Sequence, residues 1–255
     1  MPELPEVETI VRSLAPRLRG RRVVSAEYLA ARALRGGAEP PIVGHVVRDV
    51  TRHGKFILLR FDHGALAIHL GMTGKLLIDG AATPYLRAEI VFDKCRLLFD
   101  DIRQFGKMAW SAKLPSGPEP FDIDGATFAK MLRARRGAVK PLLLNQGFVR
   151  GLGNIYVDEA LFRAGIDPRA LACNVSVARA VKLHGHIVEV LREAIERGGS
   201  SISDYVDADG QRGGFQEAHR VYGREGEACV VCGRPVLRIV LGQRGTHYCA
   251  FCQRR

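Results

Sequence analysis

Apolar positions along the chain recur with two different periods, and the change from one to the other divides the sequence. Near the start, Val7, Ile10, Val11, Leu14 and Leu18 recur at steps of three and four. That is the spacing of one helix face, and it predicts an amphipathic helix over Glu6–Leu18 ending at Gly20. Onward to residue 110, apolar residues alternate with polar ones or form short runs bounded by Gly, Pro and Asp. These predict strands at Val23–Leu29, Ile42–Val50, Phe56–Phe61, Ala65–Leu70, Lys75–Ile78, Glu89–Phe92, Arg96–Phe99 and Lys107–Trp110. Short strands this closely spaced point to an antiparallel sandwich or barrel.

The stretch KLPSGPEPFDIDG, with three prolines and two glycines, reads as a linker over 114–125. Beyond it the period becomes helical, with helices expected at Thr127–Arg135, Val139–Asn145, Asn154–Ala164 and Val177–Arg197. A Gly-rich loop, 198–216, then leads into a cysteine-containing tail. The expected organisation is an α+β chain with a strand-rich domain over 1–113, a helical domain over 126–225 and a terminal module over 226–255.

Composition changes this picture in two ways. At 255 residues and 47% hydrophobic, the chain is long enough for one large or two modest cores. Lys and Arg number 38 against 27 Asp and Glu, a formal charge of +11, which suits a polyanionic partner as well as it suits a merely basic soluble enzyme. No run of about 18 apolar residues occurs and the start of the chain is acidic, so neither a membrane span nor a secretory signal is expected. The expected compartment is reducing, because four of the six cysteines have metal-ligand spacing while Cys95 and Cys173 stand alone.

Those four cysteines are the strongest local signal. Cys229-x2-Cys232 and Cys249-x2-Cys252, separated by sixteen residues, form two knuckles that supply four thiolates to one tetrahedral zinc. Four protein ligands leave no open position, so the metal is expected to be structural. Between the knuckles, PVLRIVL and THYCAFC read as two strands around GQRG, which puts Arg244 near a hairpin tip. A tip arginine is either simply solvated or, on a basic protein, a phosphate contact. In VRGLGNIYVDEALF, glycines precede a helix that starts near Asn154. That is either a tight interhelical turn or an anion site at the positive end of the helix dipole, as in helix–turn–helix modules.

Other candidates are weaker in isolation. Lys55 stands where a turn enters a strand, and His69 and Met72 lie in HLGMTG. Arg103 and Phe105 lie in the similar loop DDIRQFG. Loop Met and Phe side chains either pack into the core or wedge into a duplex to fill the space of an unstacked base. Pro2 also has two readings. As a helix-entry residue it would work with Glu3 and Glu6, whose charges complement the helix dipole. With Met1 removed, which a small second residue permits, it would instead expose a secondary amine able to attack an aldehyde carbon and form an iminium. A free α-amine titrates near about 7.7–8.0, so a proton acceptor such as Glu3 would assist it.

Taken together, PELPEVET, HLGMTG, DIRQFG, GLGNIYVDEALF and CVVCG…GQRGTHYCAFCQ occur in an order that resembles the formamidopyrimidine-DNA glycosylase and endonuclease VIII family over essentially the whole chain. The PELPEV start resembles the formamidopyrimidine branch. The resemblance implies an N-terminal β-sandwich with flanking helices, then a helix-two-turns-helix domain with a zinc β-hairpin. It also implies a bifunctional enzyme that removes oxidised purines such as 8-oxoguanine from double-stranded DNA and cleaves abasic sites by β,δ-elimination. By residue match, Pro2 is the nucleophile and Glu3 the acid/base, while Glu6 supports the lesion site. Lys55, His69, Asn154 and Arg244 hold phosphates, and Lys140 lies near the lesion. Met72, Arg103 and Phe105 fill the duplex void. The loop 200–216, with Ser201 and Tyr205, closes over an extruded base. A cytoplasmic, nucleoid-associated monomer is expected.

One departure is Gln104, where many relatives carry a second arginine, which removes a cationic contact near the orphaned base. Two other readings are an endonuclease VIII-like preference for oxidised pyrimidines and a non-catalytic zinc-dependent protein that binds damaged DNA.

Overall fold

A computed structural model describes residues 1–202 and 204–255; Ser203, within the expected loop 200–216, lies outside the described residues. Packing divides the chain into two units, Met1–Leu114 with Ile195–Gln216, and Pro115–Ala194 with Glu217–Arg255.

The first unit opens with helix α1, Leu4–Leu18. Its stripe of Val7, Ile10, Leu14 and Leu18 is fully buried, as the period predicts. Eight strands follow: β1 (Val23–Tyr28), β2 (Asp49–His53), β3 (Phe56–Phe61), β4 (Gly64–His69), β5 (Lys75–Ile78), β6 (Leu86–Phe92), β7 (Arg96–Asp100) and β8 (Lys107–Trp110). They form two antiparallel four-stranded sheets, ordered β1-β6-β7-β5 and β2-β3-β4-β8. Alternate residues of both, among them Ile57, Leu59, Leu66 and Ile68 from one and Leu76, Ile90, Leu97 and Phe99 from the other, share a single core with the α1 stripe. This is a β-sandwich in which each strand contributes one face inward.

The expected strand Ile42–Val50 is corrected. Only its last two residues enter β2, which runs on to His53. Ile42 and Val47 are buried core residues of an irregular segment. That segment turns at Gly44 (φ +83°) and bonds to the lead-in of β1 through Val23 N–H to His45 O at 2.9 Å and Val47 N–H to Arg21 O at 2.9 Å. Apolar content there reflects docking onto the core and not a ladder.

In the second unit, α2 (Gly125–Arg133), α3 (Val139–Leu144), α4 (Asn154–Ala164) and α5 (Val177–Glu196) lie close to the predicted helices. Asp124 caps α2 by accepting the Thr127 N–H at 2.7 Å. The proline-rich connection is packed: Arg150 N–H bonds Pro118 O at 3.0 Å, and a short 3-10 turn forms at Pro120–Asp122. The tail forms an antiparallel hairpin of β9 (Leu237–Leu241) and β10 (Arg244–Tyr248). Phe162 of α4 joins Val221, Val236, Cys229 and Cys249 in its small core. Among the described residues, no helix is long and apolar enough to cross a membrane.

Candidate nucleic-acid interface and metal centre

In the first unit the chain start is built around a capping box. Glu3 is the N-cap of α1, Glu6 is the third helical residue, and the two satisfy each other's backbone donors. The Glu6 carboxylate accepts the Glu3 N–H at 2.7 Å through Oε2. Its other oxygen, Oε1, accepts the Ser200 N–H at 2.8 Å. Both carboxylates are buried. The proline inside the first turn is Pro5, whereas Pro2 precedes the cap and is itself buried. Helix entry is therefore accomplished by Pro5 and the two glutamates, and Pro2 has no part in it.

The segment 200–216 begins on Glu6. A Cβ on Gly199 (φ +81°) would lie 2.8 Å from Glu6 Oε1, so only glycine brings the chain this close. The Ser201 hydroxyl donates to Tyr205 O at 2.9 Å and accepts the Gly213 N–H at 2.9 Å. The Tyr205 hydroxyl donates to Glu6 O at 3.3 Å. Both hydroxyls are thus engaged within the loop and on α1. Burial, reinforced by the Glu6 charge, pushes the Tyr205 phenol well above its ordinary range.

His69 ends β4 opposite Phe56, the residue after Lys55. Burial pulls the imidazole down to about 4, and the nearby charges of Lys55 and the chain's N-terminus add to the shift. The ring is therefore neutral at pH 7. Its Nδ1 accepts the Gly71 N–H at 3.1 Å, which assigns the proton of the neutral ring to Nε2. Lys55 is buried beside it.

Two loops of the same unit expose Met72 (42%) and Phe105 (51%), so neither belongs to the core. Arg103 joins them, with its guanidinium carbon 4.7 Å from the Phe105 ring centroid and Nη1 3.4 Å from Met72 Sδ. Gln104 adopts φ +55°, and its carbonyl accepts Lys107 Nζ at 3.3 Å.

In the second unit, the segment between α3 and α4 delivers Asn154 as the first helical residue behind a Gly153 cap. The Asn154 amide donates one N–H to Gly245 O at 2.9 Å. Lys140 Nζ donates to the same oxygen at 3.0 Å and forms a 2.7 Å ion pair with Asp158 Oδ1, both side chains being 0% exposed. Asp158 Oδ2 accepts the His247 N–H at 2.9 Å. Lys140 thus points into the protein, where it clamps β10 against the helices. Arg244 is the first residue of β10, immediately before the clamped Gly245. It follows a two-residue turn, Gly242–Gln243, with φ +57° and +61°. Its side chain is exposed and has no ion pair among the described residues.

Sequence reasoning did not single out Asp158, Asp101 or Glu159. Glu159 accepts the N–H groups of Arg220, Val221 and Tyr222 at 2.9–3.0 Å; burial raises its pKa against these bonds. A signal for this pair was available, because Asp158 and Glu159 interrupt an otherwise apolar helix. A cleft of about 360 Å³ between Pro118, Lys130, Arg135 and Phe148 contains none of the expected site residues.

The four cysteines of the tail converge, with all their sulfurs within 4.8 Å of one another. Cys229 to Cys252 spans 3.9 Å and Cys232 to Cys249 spans 3.5 Å. Four thiolates about 2.3 Å from one zinc would lie roughly 3.8 Å apart, so the set fits a single structural zinc. The second knuckle is braced by Gln253, which accepts the Cys249 N–H at 2.8 Å and donates to Ile166 O at 2.9 Å.

Three family models match the chain: the formamidopyrimidine-DNA glycosylase N-terminal domain over residues 1–108, the H2TH domain of the same enzymes over 116–206, and a zinc finger found in FPG and IleRS over 226–255. A formamidopyrimidine-DNA glycosylase of Solibacter usitatus is 52% identical over the full length of both chains. The crystal structure of the MutM (FPG) protein from Thermus thermophilus superposes with a TM-score of 0.91 at 40% identity, covering 99% of this chain and 98% of that one. A Lactococcus lactis FPG variant in complex with Fapy-dG-containing DNA gives 0.91 at 35% identity, with both chains fully covered.

Proposed function

The chain belongs to the formamidopyrimidine-DNA glycosylase family, and from that premise we propose how its residues perform the reaction. It is a DNA glycosylase of base excision repair with abasic-site lyase activity. Its substrate is duplex DNA carrying an oxidised purine, and the Lactococcus relative was solved on one such lesion, Fapy-dG. The cysteine cluster holds one structural zinc.

With Met1 removed, the Pro2 nitrogen attacks C1′ of the damaged nucleotide. The C1′–N bond breaks, its electron pair leaves with the base, and the base takes up a proton. Ring opening yields an iminium between Pro2 and C1′. Loss of a C2′ proton then expels the 3′ phosphate, and a second elimination expels the 5′ phosphate. Glu3 carries the protons at the sugar. The observation that carries this reading is the position of Pro2. It is buried ahead of the cap and directly precedes Glu3 in the chain, while Pro5 takes the helix-entry role.

Glu6 supports the lesion site by holding both the Glu3 N–H and the Ser200 N–H. This couples the position of the acid to the loop that closes over the base; Ser201 and Tyr205 shape that loop. The Nε2 donor of neutral His69 and the ammonium of Lys55 bind phosphate in one unit. Arg244 and the second amide N–H of Asn154 bind phosphate in the other, and Lys140 positions Arg244 through Gly245. Met72, Arg103 and Phe105 fill the space left by the extruded base. The enzyme works as a monomer on chromosomal DNA in the cytoplasm.

Single-turnover base release from duplexes carrying 8-oxoguanine, formamidopyrimidine or thymine glycol tests the assignment. The two purine lesions are released fastest. Release of thymine glycol alone would move the chain to the endonuclease VIII-like specificity.

A further inference from the structure

Met72, Arg103 and Phe105 come from two separate loops, and one buried carboxylate ties those loops together. Asp101, 1% exposed, directly follows β7. Its Oδ1 accepts the Thr73 hydroxyl at 2.5 Å and the Arg103 N–H at 3.2 Å. Its Oδ2 accepts the Gly106 N–H at 2.8 Å. The Arg103 N–H is shared with Thr73 Oγ1, also at 3.2 Å. Asp101 is itself anchored, since its carbonyl accepts Arg87 Nε at 2.8 Å. The two loop backbones are also in close contact. A Cβ on Gly71 (φ +61°) would sit 2.6 Å from the Gly106 nitrogen, and a Cβ on Gly106 would sit 2.5 Å from Phe99 Cζ.

We infer that Asp101, acting through Thr73, is a positioning residue for base extrusion, holding the three-residue wedge in its inserting geometry before DNA arrives. The inference rests on the void-filling role proposed for Met72, Arg103 and Phe105. Opening a base stack is unfavourable, and a wedge on two independent loops would add the cost of ordering both at the moment of insertion. A carboxylate suits the task because its two oxygens have room for all three donors. An asparagine would turn an amide N–H toward the N–H of Gly106. Residue type alone does not reveal this function, because Asp101 contacts neither the sugar nor the base in the proposed reaction.

The test uses Phe105→Ala, Asp101→Asn, Thr73→Val and the conservative Thr73→Ser on two 8-oxoguanine duplexes. One is fully paired and carries 2-aminopurine beside the lesion; in the other the nucleotide opposite the lesion is missing, so the stack is already open. Stopped-flow fluorescence reads unstacking and single-turnover assays read base release. On the paired duplex, Asp101→Asn and Thr73→Val slow both by about tenfold or more, Phe105→Ala slows them at least as much, and Thr73→Ser stays within about twofold of the parent. On the open duplex the Asp101 and Thr73 variants return to within about twofold of the parent. Equal losses on both duplexes would assign Asp101 to general folding and overturn the inference. Thr73→Val keeps the carboxylate and carries the test if Asp101→Asn does not fold. Parental unstacking by Phe105→Ala would sink the wedge reading itself. Slow unstacking by Phe105→Ala alone would leave the wedge standing and remove only the role given to Asp101.

Discussion

The start of α1 and the joint between α4 and β10 both bury an acid, and they hold it by different means. Glu6 receives main-chain N–H groups from Glu3 and Ser200, whereas Asp158 receives the ammonium of Lys140 as well as the His247 N–H. Main-chain donors fix the position of the Glu6 carboxylate through the backbone, tying the cap of α1 to Ser200. An ammonium in a fully buried pair neutralises the acid and makes it a strut. A buried acid thus orders backbone segments in one unit and pairs with a cation in the other.

Substitutions at the two acids' partners separate these roles. Glu3→Gln is expected to reduce base release by about 10³-fold or more, within the range of general acid–base catalysis, while binding to lesion duplex stays near parental. Single-turnover and equilibrium binding measurements on the same preparation check both halves. A variant that released base at the parental rate would remove Glu3 from proton transfer. Lys140→Met leaves Asp158 buried without its cation and is expected to cost about 3–5 kcal/mol in denaturant unfolding, with Lys140→Met/Asp158→Leu recovering most of it. No recovery in the double variant would mean that Lys140 acts outside the pair. Arg244→Ala, which removes an exposed cation, leaves stability unchanged, weakens DNA binding by about tenfold, and flattens the salt dependence of affinity by about one unit of slope.

The smallest expected effect concerns His69. Its folded value of about 4 lies below the ordinary 6.5, so over that interval the folded chain binds fewer protons than the unfolded one. The stability contributed by the neutral ring is complete above pH 6.5 and is lost progressively as pH falls toward 4. NMR titration should find His69 neutral at about pH 5.5. Protonation near its ordinary value would take the ring out of its buried position.

The helices and most strands were legible because their apolar period coincides with burial: the stripe Val7, Ile10, Leu14 and Leu18 is the face that packs. Ile42 and Val47 misled because a core can be filled from an irregular segment whose hydrogen bonds go to β1's lead-in. The four cysteines were legible from spacing, since zinc imposes it. Lys140 shows what a motif match omits. The match gives a residue's type and order, but whether its ammonium meets solvent or Asp158 depends on a partner supplied by another helix. Asp101 escaped notice for the same reason, because its three donors come from two loops that only the sandwich brings together.

The central claim, that the Pro2 nitrogen is the nucleophile, is most directly tested by borohydride reduction of the Met1-free protein on an 8-oxoguanine duplex, followed by peptide mapping. The account predicts a covalent adduct on the N-terminal peptide at Pro2, absent when Met1 is retained. An adduct on a lysine, or one of equal yield with Met1 in place, would contradict it.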